Sequence, residues 1–189
     1  MIYLLVYVDD ILLTESNSVV LHRLITLLQS KFKLQDLGSV HFFLGIEVKS
    51  TTMRILWSQH KYALDIIQRA GMTSCKPVDT PLSTSSKLWL IPGTLYSDPT
   101  RYRQIVGGLQ YLTFTRPDTC YVVNKVCQFL HAPTEDHWFA VKRILRYLQA
   151  TTTHGLHITR DSLLSLHGFT NADWAGSIDD RKSTSGYLV

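Results

Sequence analysis

Asp9 and Asp10 are adjacent carboxylates in the run Tyr7-Val8-Asp9-Asp10, between the apolar stretch Met1 to Val8 and Ile11-Leu12-Leu13. Two acids between two strand-like hydrophobic segments are expected at the tip of a β-hairpin. Neighbouring like charges raise each other's pKa unless a cation offsets them. Mg²⁺ does this in phosphoryl-transfer sites, taking a few carboxylate oxygens and completing its octahedron with water and phosphate. The plain alternative is an acidic surface turn, and four residues alone do not choose between the two.

Little else in the chain competes for chemistry. The eight His are scattered, and three Cys without paired spacing argue for a reducing compartment and against a zinc site. Cys120 and Cys127, seven apart, fall on one helical face and read as apolar core residues. Lys142, Arg143 and Arg146 share one face of a helix expected after Thr134, while Val141, Ile144, Leu145 and Leu148 turn mostly to a core. Such a stripe can contact phosphates without reading sequence. The plainer alternative is a solvated helix face. Asp173 and the pair Asp179-Asp180 are read as ordinary acids.

The elements that must position these residues follow from periodicity and punctuation. After the hairpin a helix is expected, capped within Ser16-Asn17-Ser18, with Leu21, Leu24, Leu28 and Phe32 as its apolar face. Residues 40 to 58 alternate as a second hairpin, Ile46 and Val48 against Ile55 and Trp57. A helix starting at Ser58 buries Tyr62, Ile66, Ile67 and Ala70 and stops at Gly71. Residues 72 to 98, with Pro77, Pro81, Pro92 and Gly93, form the best linker candidate. Asp98-Pro99 opens a helix as cap and first residue, and Asp118 and Thr134 cap two more. Residues 155 to 189 return to strand-like patterning.

At 189 residues, 45% hydrophobic and 18% charged, the chain is globular in composition, which argues against disorder. Its net charge of +4 is compatible with nucleic acid but too small to require it. Met1 to Val8 is too short for a membrane span and lacks the basic start of a signal peptide. No membrane partner is expected. The expected setting is intracellular, with nucleus, cytoplasm and mitochondrion equally open.

Tyr7-Val8-Asp9-Asp10 followed by Ile11-Leu12-Leu13 resembles the palm-domain active-site hairpin of reverse transcriptases. Further stretches narrow the resemblance to the Ty1/copia type of LTR retrotransposon Pol polyprotein. They are Leu34-Gln35-Asp36-Leu37-Gly38, Phe43-Leu44-Gly45-Ile46-Glu47-Val48, Ser58-Gln59-His60-Lys61-Tyr62 and the run from Tyr102 to Leu112. Thr115-Arg116-Pro117-Asp118, His131-Ala132-Pro133-Thr134, the run from Lys142 to Leu148, and Ala172-Asp173-Trp174-Ala175-Gly176 with Asp179 to Tyr187 complete the series, in family order.

The resemblance implies an α+β chain. Residues 1–58 would be the C-terminal part of the palm, 59–154 a helical thumb or connection, and 155–189 the start of a ribonuclease H-like domain. It implies RNA-directed DNA polymerisation with Mg²⁺ on an RNA/DNA template–primer duplex. Asp9 would bind the metals and Asp10 support them, while Tyr7 and Val8 flank the primer end and incoming nucleotide. Residues 40 to 58 would form the primer-grip region, with Lys49, Arg54 and Gln59 among its polar groups; the plainer alternative is a two-stranded flap packing Ile46 and Trp57. Lys142, Arg143 and Arg146 would lie near the duplex. The family carries a further metal-binding Asp and the fingers ahead of the hairpin, so this chain is expected to be inactive without such an N-terminal palm and fingers segment as partner. Thr170-Asn171-Ala172-Asp173-Trp174 stands where the family reads Ser-Asp-Ala-Asp-Trp, and the neutral Asn171 is a weaker Mg²⁺ ligand. Two other readings remain open: a non-catalytic nucleic-acid-binding module using the thumb surface, and a reading frame without a selected role.

Overall fold

Tyr3–Tyr7 (β1) and Asp10–Thr14 (β2) pair as a hairpin, and Ser18–Lys31 (α1) follows. Phe42–Phe43 (β3), Ile46–Ser50 (β4) and Arg54–Ser58 (β5) lead into His60–Arg69 (α2). Pro99–Leu112 (α3), a 3₁₀ turn at Pro117–Thr119, Cys120–Cys127 (α4) and Glu135–Ala150 (α5) form the helical part. Gly155–Thr159 (β6), Phe169–Ala172 (β7) and Ser185–Leu188 (β8) close the order. The computed structural model describes residues 1–83, 93–159, 168–172, 183 and 185–188. The mixture of helices with antiparallel strands is the expected α+β class.

The core is helical because apolar residues recur at intervals of three and four. α2 buries Ala63, Ile66 and Ile67, α3 buries Tyr102, Ile105, Val106, Leu109 and Leu112, and α4 buries Val122, Val123 and Val126. α5 contributes Val141, Ile144, Leu145 and Leu148, all fully enclosed, as its expected face requires. Inside this core the Tyr102 hydroxyl donates to the Val126 carbonyl at 2.8 Å, so burying the phenol leaves no donor unpaired. Gly108 lets α2 approach α3: a Cβ there would stand 3.3 Å from Ile66 side-chain atoms.

The helix ends follow the expected chemistry with two exceptions. Asn17 caps α1 by accepting from Val19 and Val20, Asp98 caps α3 through Arg101 N–H, and Thr134 caps α5 in a reciprocal box with His137. Gly71, at φ +64°, follows the end of α2 as expected. α2, however, starts at His60. Ser58 still pairs with Glu47 and Gly155 in the sheet, and the Glu47 carboxylate instead accepts from Lys61 N–H at 3.0 Å. Asp118 caps nothing: it lies within the 3₁₀ turn, and α4 follows Thr119 without a side-chain cap bond.

The four-stranded sheet runs β3-β4-β5-β6, all antiparallel. Val48 faces Trp57 in the β4–β5 ladder, as the alternation predicts. β6 joins this sheet beside β5, so residues from 155 onward first return to the strands before α2.

Two expectations fail on packing. α1 buries no residue: Leu21, Leu24 and Leu28 are only half-buried, and Phe32 lies beyond its end and is exposed. The described parts of the expected linker are anchored. Met72 and Leu82 pack on the core, and buried Tyr96 stacks on Trp138 at 5.0 Å between ring centroids. Residues 84–92, including Pro92, lie outside the described residues.

Candidate functional site

The acidic hairpin forms because Tyr7 pairs with Asp10, leaving Val8-Asp9 as a two-residue loop. Asp9 therefore sits in the turn itself, and Asp10 opens β2. Val8 takes φ +49°, a left-handed conformation that a β-branched side chain adopts only under constraint. Both carboxylates and Tyr7 and Val8 are exposed. A two-metal centre requires carboxylates from at least two chain segments around ions roughly 4 Å apart. Among the described residues no third His, Cys, Asp or Glu joins Asp9 and Asp10 to make a group able to hold a metal ion. The pair thus supplies part of a donor set, and the described residues alone do not fit a two-metal centre.

Lys142, Arg143 and Arg146 lie together on α5 as expected, and two of them are engaged within the chain. The Arg143 Nη2 donates to Thr80 Oγ1 at 2.8 Å, and Arg146 Nε donates to the Lys76 carbonyl at 2.6 Å. Val78 N–H returns a bond to the Arg146 carbonyl at 3.4 Å. The face expected to meet either solvent or phosphate therefore straps residues 76–80 onto the helix. The Lys142 ammonium stands 4.6 Å from the Phe139 ring centroid, a cation–π contact at an exposed aromatic.

Sequence reasoning missed a buried, fully bonded cation. Arg116, 3% exposed, donates Nε and Nη2 to the two Asp118 oxygens at 3.0 and 2.7 Å. Its remaining bonds reach the Thr151 carbonyl and hydroxyl at 2.9 and 2.8 Å, at the end of α5. The Tyr147 hydroxyl also donates to Asp118, at 2.7 Å. Burial pushes the Asp118 carboxyl up, but Arg116 beside it and the Tyr147 hydroxyl outweigh that and hold it below its ordinary value. The Arg-Pro-Asp spacing was the available signal: the proline fixes the turn that folds the acid back onto the guanidinium.

Nearby, the Thr115 hydroxyl donates to buried Gln59 at 2.8 Å, and the His60 ring bonds the Thr152 carbonyl at 3.1 Å. Ser58-Gln59-His60 and Thr115-Arg116-Pro117-Asp118 are thus brought together as internal fastenings between sheet and helices. The hairpin with Lys49 and Arg54 forms as expected, and both residues are exposed on it. Asn171 lies on β7, opposite Gly186 of β8, while Asp173, Asp179 and Asp180 lie outside the described residues. Cys120 and Cys127 are free and half-buried on α4, and burial pushes the Cys127 thiol up to about 11.

The family model described as reverse transcriptase (RNA-dependent DNA polymerase) matches residues 1–84, which include the acidic hairpin and the β3–β5 strands. The Retrovirus-related Pol polyprotein from transposon RE2 of Arabidopsis thaliana is 50% identical over 188 residues. An uncharacterized mitochondrial protein of the same plant, AtMg00810, is 48% identical over 187 residues, covering 99% of this chain and 78% of that protein. The chain belongs to the Ty1/copia-type reverse transcriptase family. The Pol polyprotein from transposon TNT 1-94 of Nicotiana tabacum is also similar, 40% identical over 196 residues. This family member spans the whole of its own length in the RE2 match but only 13% of the RE2 polyprotein, and 15% of TNT 1-94. No solved structure matches it at a significant level.

Proposed function

We propose that the chain contributes part of an RNA-directed DNA polymerase, with residues 1–58 as palm, 59–154 as thumb or connection, and 155–189 as the start of a ribonuclease H-like domain. The observation that carries this reading is the two-residue turn holding Asp9 next to Asp10, inside the stretch matched to reverse transcriptases. Asp9 and Asp10 are the proposed ligands for Mg²⁺, which would supply charge neutralisation at a transferring phosphoryl group. Tyr7 and Val8 would flank the primer end, and Lys142, Arg143 and Arg146 would lie toward duplex phosphates. An intracellular setting accords with three free cysteines. Among the described residues no helix is long and apolar enough to cross a membrane.

The test is primer extension on a poly-rA/oligo-dT template. The chain alone should incorporate no deoxynucleotide, because two acids from one turn do not make a two-metal site. Mixed with a separately expressed palm and fingers segment from a Ty1/copia-type relative, it should extend the primer, and Asp9→Asn should abolish this. Extension by the chain alone that disappears in Asp9→Asn would overturn the claim of dependence on that segment. Extension by the mixture that persists in Asp9→Asn would overturn the role of Asp9.

A second reading, nucleic-acid binding without catalysis, is favoured by one observation. Exposed Tyr121 and Phe139 each carry a lysine ammonium over the ring, at 5.8 and 4.6 Å, the kind of surface on which bases stack beside phosphate contacts. Retention of single-stranded RNA or DNA in a gel shift without any complemented extension would support it.

A further inference from the structure

The β3–β4 connection is a turn that its own sequence does not hold. Phe43 pairs with Ile46, leaving Leu44-Gly45 as a two-residue loop with φ of +50° and +75°. Positive φ at both positions is the requirement of a type I′ hairpin turn. Gly45 meets it freely, whereas Leu44 adopts a conformation that a Cβ disfavours. β3 is two residues long and lies at the sheet edge, so the ladder offers the turn little support.

The support comes from α3. The Tyr111 hydroxyl donates to the Leu44 carbonyl across 67 residues of sequence. The same ring packs on the turn, its Cε1 lying 3.5 Å from where a Cβ on Gly45 would stand. Tyr111 is itself fixed by its neighbours, edge-on to Tyr62 at 5.3 Å and to Phe114 at 5.7 Å. Tyr62 in turn packs against the core. Burial first, then the phenols of Tyr62 and Tyr7, push the Tyr111 phenol up, which keeps it a donor across the neutral range.

We infer that Tyr111 is a positioning residue: it registers the Leu44–Gly45 turn, and with it the edge strand β3, to the helical core. On the proposed function, which this inference deepens, that turn lies in the stretch of residues 40 to 58 that would hold the primer, so its register to α3 sets where the primer is held. Tyr111 acts here through the turn and touches no reacting atom.

Backbone amide exchange in the full chain tests this. Tyr111→Phe keeps the ring and removes the bond to Leu44. Amides of residues 43–46 should exchange roughly five-fold faster, as expected for losing one hydrogen bond. Those of Ile105, Val106 and Leu109 in α3 should be unchanged. Gly45→Ala strains the same turn, whose φ of +75° a Cβ disfavours, and sets a methyl against the Tyr111 ring, so its effect should not add to that of Tyr111→Phe. Unchanged exchange at 43–46, an equal change throughout α3, or full additivity would each overturn the assignment. Gel shift with an RNA/DNA duplex provides the second arm. A several-fold loss of affinity in Tyr111→Phe, with the thermal midpoint kept, supports a role along the nucleic-acid path, and unchanged affinity overturns that part. Absence of duplex binding by the unsubstituted chain would count against the proposed function, while the exchange result still decides the role of Tyr111.

Discussion

Arg116 carries a full positive charge at a position almost closed to water, which is tolerable only because its bonds to Asp118 and Thr151 replace hydration. Removing the guanidinium would take two bonds from the Asp118 carboxylate, leaving it the Tyr147 hydroxyl, and one from the Thr151 carbonyl, leaving it the His154 N–H. Arg116→Ala is therefore expected to lower unfolding free energy by about 3 kcal/mol, the low end for a broken buried pair, because Asp118 is 39% exposed. A urea midpoint unchanged from the parent chain would contradict this. Acid sensitivity follows from the same pair. The Asp118 carboxyl is held below its ordinary value in the folded chain, so between the folded and unfolded values the unfolded state binds more protons. Its contribution to stability is present above the ordinary carboxylate value, near pH 4, and lost as pH falls through the folded value. Asp118→Asn should lose stability at pH 7 and show a shallower decline between about pH 4 and pH 2 than the parent. Parallel denaturation series across that range check the sign.

At the scale of elements, the neighbouring Gly107 and Gly108 make opposite predictions. A Cβ on Gly107 meets nothing within 4 Å, so Gly107→Ala should stabilise α3 by about 0.5–1 kcal/mol through backbone entropy. A Cβ on Gly108 would meet Ile66 at 3.3 Å, and Ile66 is only 1% exposed and has little room to give. Gly108→Ala should destabilise despite its better helix propensity, and thermal midpoints moving in opposite directions would verify both. This contrast marks what was legible beforehand. Helix faces, the caps at Asn17, Asp98 and Thr134, and the hairpin at Val8-Asp9 depend on residues a few positions apart, and pattern reading reaches that far. The pairing of β5 with β6, the closure of Arg116 onto Thr151 and the hold of Tyr111 on Leu44 join residues 35 to about 100 apart. Ser58 illustrates the limit: it has the composition of a cap, but its place in the ladder passes that task to Glu47. The same applied to Arg143 and Arg146, whose spacing showed a basic face but not the strap beneath it.

For the whole molecule, the distribution of apolar surface and charge sets how it meets other chains. Tyr3, Leu4, Leu5 and Val6 are each 51–59% exposed, so successive residues on both faces of β1 lie open. An apolar strand presented this way is a template for intermolecular pairing. Leu5→Lys should therefore reduce light scattering at a given concentration without changing the cooperative unfolding of the helical core, and a freely soluble parent chain would contradict that account. Charge gives the final expectation. With a net +4 over 189 residues, long-range attraction to nucleic acid is modest, and any duplex contact must come from a local face. If Lys142, Arg143 and Arg146 form that face, affinity should be weak, of order 10⁻⁴–10⁻⁶ M at physiological salt, and should fall with salt. Replacing all three with Gln should flatten log K against log[salt] by about 0.9 per lost contact on B-form DNA. Because Arg143 and Arg146 also hold residues 76–80, that variant should unfold more easily as well. Thr80→Ala separates the two effects: it removes the strap's hydroxyl acceptor without touching a cation, so it should lower stability while leaving the salt slope intact. A slope that flattens in Thr80→Ala as much as in the triple variant would assign the binding change to the strap, and an unchanged slope in the triple variant would leave the arginines as internal fastenings alone.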